Sequence, residues 1–145
     1  MGWTFHSLDD LPYPDDIVWC RWPKREDKLP PGEIIRGVLV RERKFLEHKE
    51  WGRYGALVVS YATGQFDPEV HGEIDLILNR AEALSVGLHK ATRVSLDLRD
   101  RKQLPWCEEY FTPQPYVVGR GIHAGTLTED HKQRMLACLK KRGLA

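Results

Sequence analysis

The sequence predicts a mainly β domain closed by one amphipathic helix, and three observations carry that prediction. Short runs of β-branched and aromatic residues recur along the chain, charged or proline- and glycine-rich stretches separate them, and a sustained helical apolar period appears near the C-terminal end. No strand–helix–strand alternation and no internal repeat is present, which argues against a doubly wound sheet or a solenoid. Short strands, long charged loops and a terminal helix together suggest a small barrel capped by that helix.

The elements are expected in the following order. Pro12, Pro14 and the aspartates Asp9, Asp10, Asp15 and Asp16 favour an extended N-terminal arm, residues 1–15, over a helix. Residues 17–22, Ile-Val-Trp-Cys-Arg-Trp, read as a strand stopped by Pro23. Residues 24–33 are charged, contain Pro30-Pro31-Gly32, and read as a surface loop. Residues 34–40 and 54–62 are apolar almost throughout and should be central strands. Between them the charged stretch 41–53 fits either a long hairpin or a short exposed helix. Thr63-Gly64-Gln65 reads as a turn, and 73–78 and 92–98 as half-exposed strands. Residues 79–88 fit a short helix or a loop plus strand, and 116–119 a last brief strand after the proline-punctuated stretch 103–115.

Residues 127–142 carry the clearest helix signals. Thr128 can cap, Glu129 and Asp130 suit the positive end of the helix dipole, and Lys140, Lys141 and Arg142 suit the negative end before Gly143. Leu127, Met135, Leu136 and Leu139 form the apolar stripe expected to face the core.

With 145 residues the chain falls in the size range of one domain, taken here as 1–145. Lys+Arg number 22 against 21 Asp+Glu, a net charge of +1, so any site for a polyanion must be local rather than a property of the whole surface. Basic residues gather at Arg21, Lys24, Arg25 and Lys28, and again at Lys90, Arg93, Arg99, Arg101 and Lys102. Three distant cysteines, Cys20, Cys107 and Cys138, lack the spacing of a disulfide framework or a zinc knuckle, which points to a reducing compartment. No stretch resembles a signal peptide or approaches the ~18 apolar residues of a membrane span, so a cytoplasmic protein is expected.

Phosphate-binding loops, dinucleotide fingerprints, zincin and EF-hand motifs and nucleophile elbows are absent from the sequence, and its six histidines form no i,i+4 pair, so no cofactor or metal is expected. What stands out is Arg36, a cation among Ile34, Ile35, Val38 and Leu39, because a buried guanidinium without a partner is costly. It needs a carboxylate, an exit to the rim, or a ligand. Thr63, directly after an apolar run, is by itself ordinary turn chemistry.

Taken together, Asp16-Ile17-Val18-Trp19, then Arg36-Gly37-Val38-Leu39-Val40, then 58–65 ending in Thr63-Gly64-Gln65, resemble the MazF/PemK (Kid) toxins, metal-independent endoribonucleases of toxin–antitoxin modules. The order is similar from about residue 16 to 144. Glu73-Ile74-Asp75-Leu76, Gly87-Leu88 with Ala91-Thr92-Arg93-Val94, and Leu104-Pro105-Trp106 resemble later parts of that pattern. The resemblance implies an SH3-like β-barrel, a homodimer with single-stranded RNA in a groove across its interface, and an antitoxin whose disordered tail fills that groove. It also implies that Arg36 and Thr63 are catalytic, that Lys24, Arg25, Lys28, Gln65, Lys90, Thr92 and Arg93 contact RNA, and that the products are a 2′,3′-cyclic phosphate and a 5′-hydroxyl.

This sequence departs from the family pattern at three places. Gly37 stands where a proline usually follows the arginine, Gly64 stands where Ser or Thr is usual, and Thr92 stands where the Kid-like branch has an aspartate. The last departure leaves the general base unassigned. Two other functions use similar features: a CcdB-like gyrase-binding toxin, whose Trp-Gly-Ile ending this chain lacks, and an inactive RNA-binding barrel using Trp3, Trp22, Trp51 and Trp106.

Overall fold

The computed structural model describes residues 2–23, 31–114 and 121–145. Its strands form two antiparallel sheets. Strands β1 (Asp16–Arg21), β2 (Ile35–His48), β3 (Gly52–Ser60), β7 (Arg101–Pro105) and β8 (His123–Thr126) make a five-stranded sheet of order β7-β3-β2-β1-β8. Strands β4 (Ala62–Thr63), β5 (Leu76–Leu78) and β6 (Thr92–Val94) make a three-stranded sheet of order β4-β6-β5. Among the described residues no ladder joins the two sheets into a closed barrel. A mainly β protein with a C-terminal helix is thus what the sequence foretells.

The five-stranded sheet is covered on both faces, and the period of two explains how. On β1, Ile17 and Trp19 enter one apolar cluster with Leu39, Leu76, Leu78, Val94 and Met135. The alternate residues Val18 and Cys20 enter a second cluster with Val38, Val40, Leu57, Leu104 and Phe111. Burying an aliphatic or aromatic side chain of this size contributes about 1.5–3 kcal/mol, so a strand buried on both faces is strongly held.

Residues 41–53 are a hairpin, not a helix. The ladder between β2 and β3 runs from Leu39–Ser60 to His48–Gly52, and Gly52 takes the positive φ (73°) that the turn requires. The register shifts between Val40 and Glu42, a bulge that leaves Arg41 as the extra residue and resets which side chains face inward.

Residues 79–88 resolve as helix α2 (Arg80–Ser85). Its Asn79 cap and Glu82 exchange hydrogen bonds in a capping box. Ahead of it, α1 (Pro68–His71) is a single turn capped by Asp67, which the sequence reading did not identify. Helix α3 (Glu129–Lys141) begins at the Thr128 cap as expected. Its buried stripe is His131, Met135 and Cys138, the i, i+4, i+7 face, with Leu139 packed beside it. Leu136, expected in the stripe, lies on the opposite side and is 38% exposed.

Other boundaries move inward. Ile34 is 63% exposed and precedes β2, Glu73 and Ile74 sit in the turn before β5, and β6 ends at Val94. The edge strands β7 and β8 were not expected. The strand expected at 116–119 and most of the loop at 24–33 lie outside the described residues. No helix among the described residues is long and apolar enough to cross a membrane.

Candidate functional site

The chain crosses from the large sheet to the small one at Tyr61, between β3 and β4. Its backbone N–H donates to Asp100 O at 2.9 Å and its carbonyl accepts from Ser95 N at 2.9 Å, so the crossing is held from both sides. A groove of about 600 Å³ opens there, lined by Trp19, Ile34, Arg36, Tyr61, Thr63, Gln65, His89, Lys90 and Thr92 among others. Arg36, Thr63, Gln65, Lys90 and Thr92, singled out separately in the sequence, therefore share one wall system.

Arg36 reaches the groove from β2. Its Nη1 donates to Tyr61 Oη at 3.0 Å and to Ala62 O at 3.5 Å, and its guanidinium lies 5.0 Å from the centroid of the Tyr61 ring. Its Nε is buried without a partner. Among the described residues no carboxylate is ion-paired with Arg36, and none lines the groove. The side chain is held by neutral acceptors and an aromatic face, which keep its charge uncompensated.

Thr63 stands at the end of β4, where its Oγ1 accepts from Gln65 N at 3.1 Å. That bond uses one lone pair, so the hydroxyl proton remains able to donate to an oxyanion. Thr92, 7% exposed, donates through Oγ1 to Lys90 O at 2.9 Å and shapes the loop that carries Lys90. It contributes backbone geometry more than a free hydroxyl. His89 precedes Lys90, and its ring stacks on Trp19 at 5.4 Å with an interplanar angle of 17°.

Both glycine departures are closely packed by a neighbouring side chain. A Cβ at Gly37 would lie 2.5 Å from Leu88 Cδ2, so Leu88 occupies the space a proline ring would need. A Cβ at Gly64 would meet the Lys90 side chain, which lies across it. Gly64 thus lets the ammonium-bearing chain settle against the Thr63 turn.

Arg93 goes elsewhere. It lies between Thr92 and Val94 on β6 and points to the opposite face, where Nη1 meets Asp75 Oδ2 at 3.0 Å. Asp75 is 1% exposed, and it also accepts from Arg142 Nη2 at 2.6 Å and Leu96 N at 2.9 Å. Arg93 is therefore a structural ion-pair partner in this structure and not part of the groove. Lys24, Arg25 and Lys28 lie outside the described residues.

Tyr61, Trp19 and His89 were not recognised in the sequence as parts of a site. Trp22, one of the tryptophans considered as a stacking surface, meets Tyr61 edge-on at 5.3 Å beside the groove. Trp3 and Trp106 pack against Tyr110 and Phe111 in the second apolar cluster, and Trp51, half-buried at the β2–β3 turn, meets Phe5 and His48.

Among the described residues, neither the thiols nor the carboxylate–histidine cluster lines the groove. Cys20 faces Arg36 across the β1–β2 ladder, and burial pushes its thiol far above the ordinary range, with the Arg36 charge countering only in part. Cys107 is pushed up to about 12, chiefly by burial. Among the described residues, Glu82, Asp130 and His131 bring ligand atoms within 4.8 Å of one another. Arg134 already pairs with Glu82 and lies 3.7 Å from Asp130, so a guanidinium holds that position. None of the three lines the groove.

No family model and no curated protein matches this sequence.

Proposed function

We propose that this chain is an endoribonuclease toxin of the MazF/PemK kind, cutting single-stranded RNA in the groove at Tyr61. The observation that carries the reading is Arg36, a guanidinium with neutral partners in a groove without a described carboxylate. Such a group is complementary to a phosphodiester, because it offers parallel N–H donors and an undivided positive charge.

The chemistry follows from the substrate's own 2′-hydroxyl. As its oxygen bonds to phosphorus, the P–O5′ bond breaks, leaving a 2′,3′-cyclic phosphate and a 5′-hydroxyl. Arg36 stabilises the charge that builds on the phosphorane oxygens, and the Thr63 hydroxyl donates to one of them. Lys90 adds a second positive charge, and Gln65 beside the Thr63 turn supplies an amide for a phosphate or a base edge. The nucleophile belongs to the RNA, so the reaction calls for no activated water and proceeds without a metal.

The reading carries expectations beyond the groove. It takes the two sheets as parts of an SH3-like barrel, and expects a cytoplasmic homodimer that extends the groove across its interface. It further expects an antitoxin that neutralises growth inhibition by occupying that groove. Binding without cleavage is the second reading, favoured by the absence of a carboxylate base among the described lining residues.

The test is to incubate purified protein, with a chelator present, with a long unstructured RNA and to map the ends. Discrete cuts lost in both Arg36→Ala and Thr63→Ala are expected. Undiminished cutting by Arg36→Ala overturns the assignment, and RNA bound but never cut establishes the binding module.

A further inference from the structure

Among the described lining residues Arg36 and Lys90 supply positive charge and Thr63 a hydroxyl donor, and none of these accepts the 2′-hydroxyl proton. We infer that His89 is that proton acceptor, an assignment that rests on the ribonuclease reading. Transfer of the proton in step with attack is worth about 10²–10⁴ in rate, so an active site of this type needs such a group. The described lining offers few candidates. Arginine and lysine side chains carry only donors, and a threonine hydroxyl is a poor base. Imidazole is the side chain that exchanges a proton between about pH 5 and 8.

His89 is also placed for the role. It is an exposed residue on the loop that leads into β6, and it lines the same groove as Arg36 and Thr63. The nearly parallel stack on Trp19, a side chain anchored in the core, fixes the plane of the ring. The ionisable groups that share the groove are Arg36 from β2, Tyr61 from the β3–β4 crossing and Lys90 from its own loop. In the step, the His89 ring nitrogen takes the proton from O2′ as the O2′–P bond forms. The departing O5′ takes a proton from water, and the imidazolium returns its own to solvent, so no net proton is consumed.

The experiment compares wild type, His89→Ala and His89→Gln for cleavage of a long RNA across pH 5–9, for binding of a 2′-O-methyl RNA that cannot react, and for response to added imidazole. His89→Ala is expected to cut at least about 100-fold more slowly, to lose the acidic limb of the pH–rate profile, to bind the unreactive RNA within a few-fold of wild type, and to regain activity with imidazole. Cutting at the wild-type rate with the same profile overturns the assignment and leaves the ribonuclease reading standing. A fall in binding that matches the fall in rate, without imidazole rescue, makes His89 a contact only and also overturns it. If the wild type cuts no RNA, both readings fall together.

Discussion

Arg36 and Arg93 are both half-buried arginines on strands, and a few residues of the small sheet lie between them. Arg93 meets the buried carboxylate of Asp75, which Arg142 and the Leu96 amide also engage, so its charge is compensated within the fold although its Nε has no partner. Arg36 shares the unpartnered Nε but meets only a phenol and a carbonyl, and it opens onto a groove. The difference teaches how to separate two arginines that look alike in sequence. The balanced one secures structure, and the unbalanced one is available to an anion. Arg134 lies between these extremes, paired with Glu82 at a half-exposed junction of α2 and α3.

The largest effect is expected where the balance is deepest. Asp75→Ala leaves two guanidinium groups facing a void and should destabilise the protein by about 3–5 kcal/mol, read from urea unfolding. A loss below about 1 kcal/mol would break the comparison, because Arg93 would then be no more committed than Arg36. Arg36→Ala should do the opposite. Its stability should stay within about 1 kcal/mol of wild type, while cleavage falls on the order of 10²–10³-fold, as for loss of one oxyanion donor.

A smaller effect sharpens the intermediate case. Burial alone would raise the Glu82 carboxyl, but hydrogen bonds from Arg134 and the Asn79 amide, with the nearby positive charges, hold it below its ordinary value of 4.5. A carboxyl lowered on folding contributes stability that is fully present above that value and is lost as pH falls through the folded value. Thermal melts of Glu82→Gln should therefore show a lower Tm at neutral pH and a shallower loss toward acid than wild type. Parallel acid profiles would show that the pair contributes nothing. The smallest effect is expected for Gly64→Ala, which only displaces Lys90: stability within about 0.5 kcal/mol, and RNA affinity reduced a few-fold in a direct binding assay.

Much of the fold was legible because its centre is apolar in a strand-like way. β1, the first half of β2, β3 and α3 announce themselves through Val, Ile, Leu and Trp runs or through capping at Thr128. The edges were not legible. β7 is Arg-Lys-Gln-Leu-Pro and β8 is His-Ala-Gly-Thr, and each is a strand only because one neighbour offers it a ladder. The bulge at Arg41 likewise breaks the alternation that would have marked 41–48 as strand.

The site divides in the same way. Arg36 and Thr63 carried a local oddity or a resemblance, and the structure brings them into one groove. Tyr61 lies within the resembling stretch 58–65 without being singled out there, and His89 carried neither. Their part depends on the chain crossing between sheets and on a stack with Trp19, seventy residues away in the chain, and no local pattern encodes such a meeting. Arg93 stands apart from the groove for the complementary reason: in a strand, one step along the chain turns a side chain to the other face, toward Asp75.

Asp75 has one more consequence, which concerns how the molecule opens. Its side chain receives Arg93 of β6, the Leu96 amide and Arg142 at the end of α3, while its carbonyl accepts from Cys138 Sγ at 3.4 Å. The small sheet and the terminal helix are thus tied through this residue, beside the Arg134–Ile77 bond and the shared apolar cluster, and should come apart as one unit. In deuterated solvent the Leu96 amide and the amides of the middle of α3 should exchange at rates governed by one opening event. The groove's Thr92–Lys90 loop, mounted on that unit, then keeps its shape for as long as the helix stays docked.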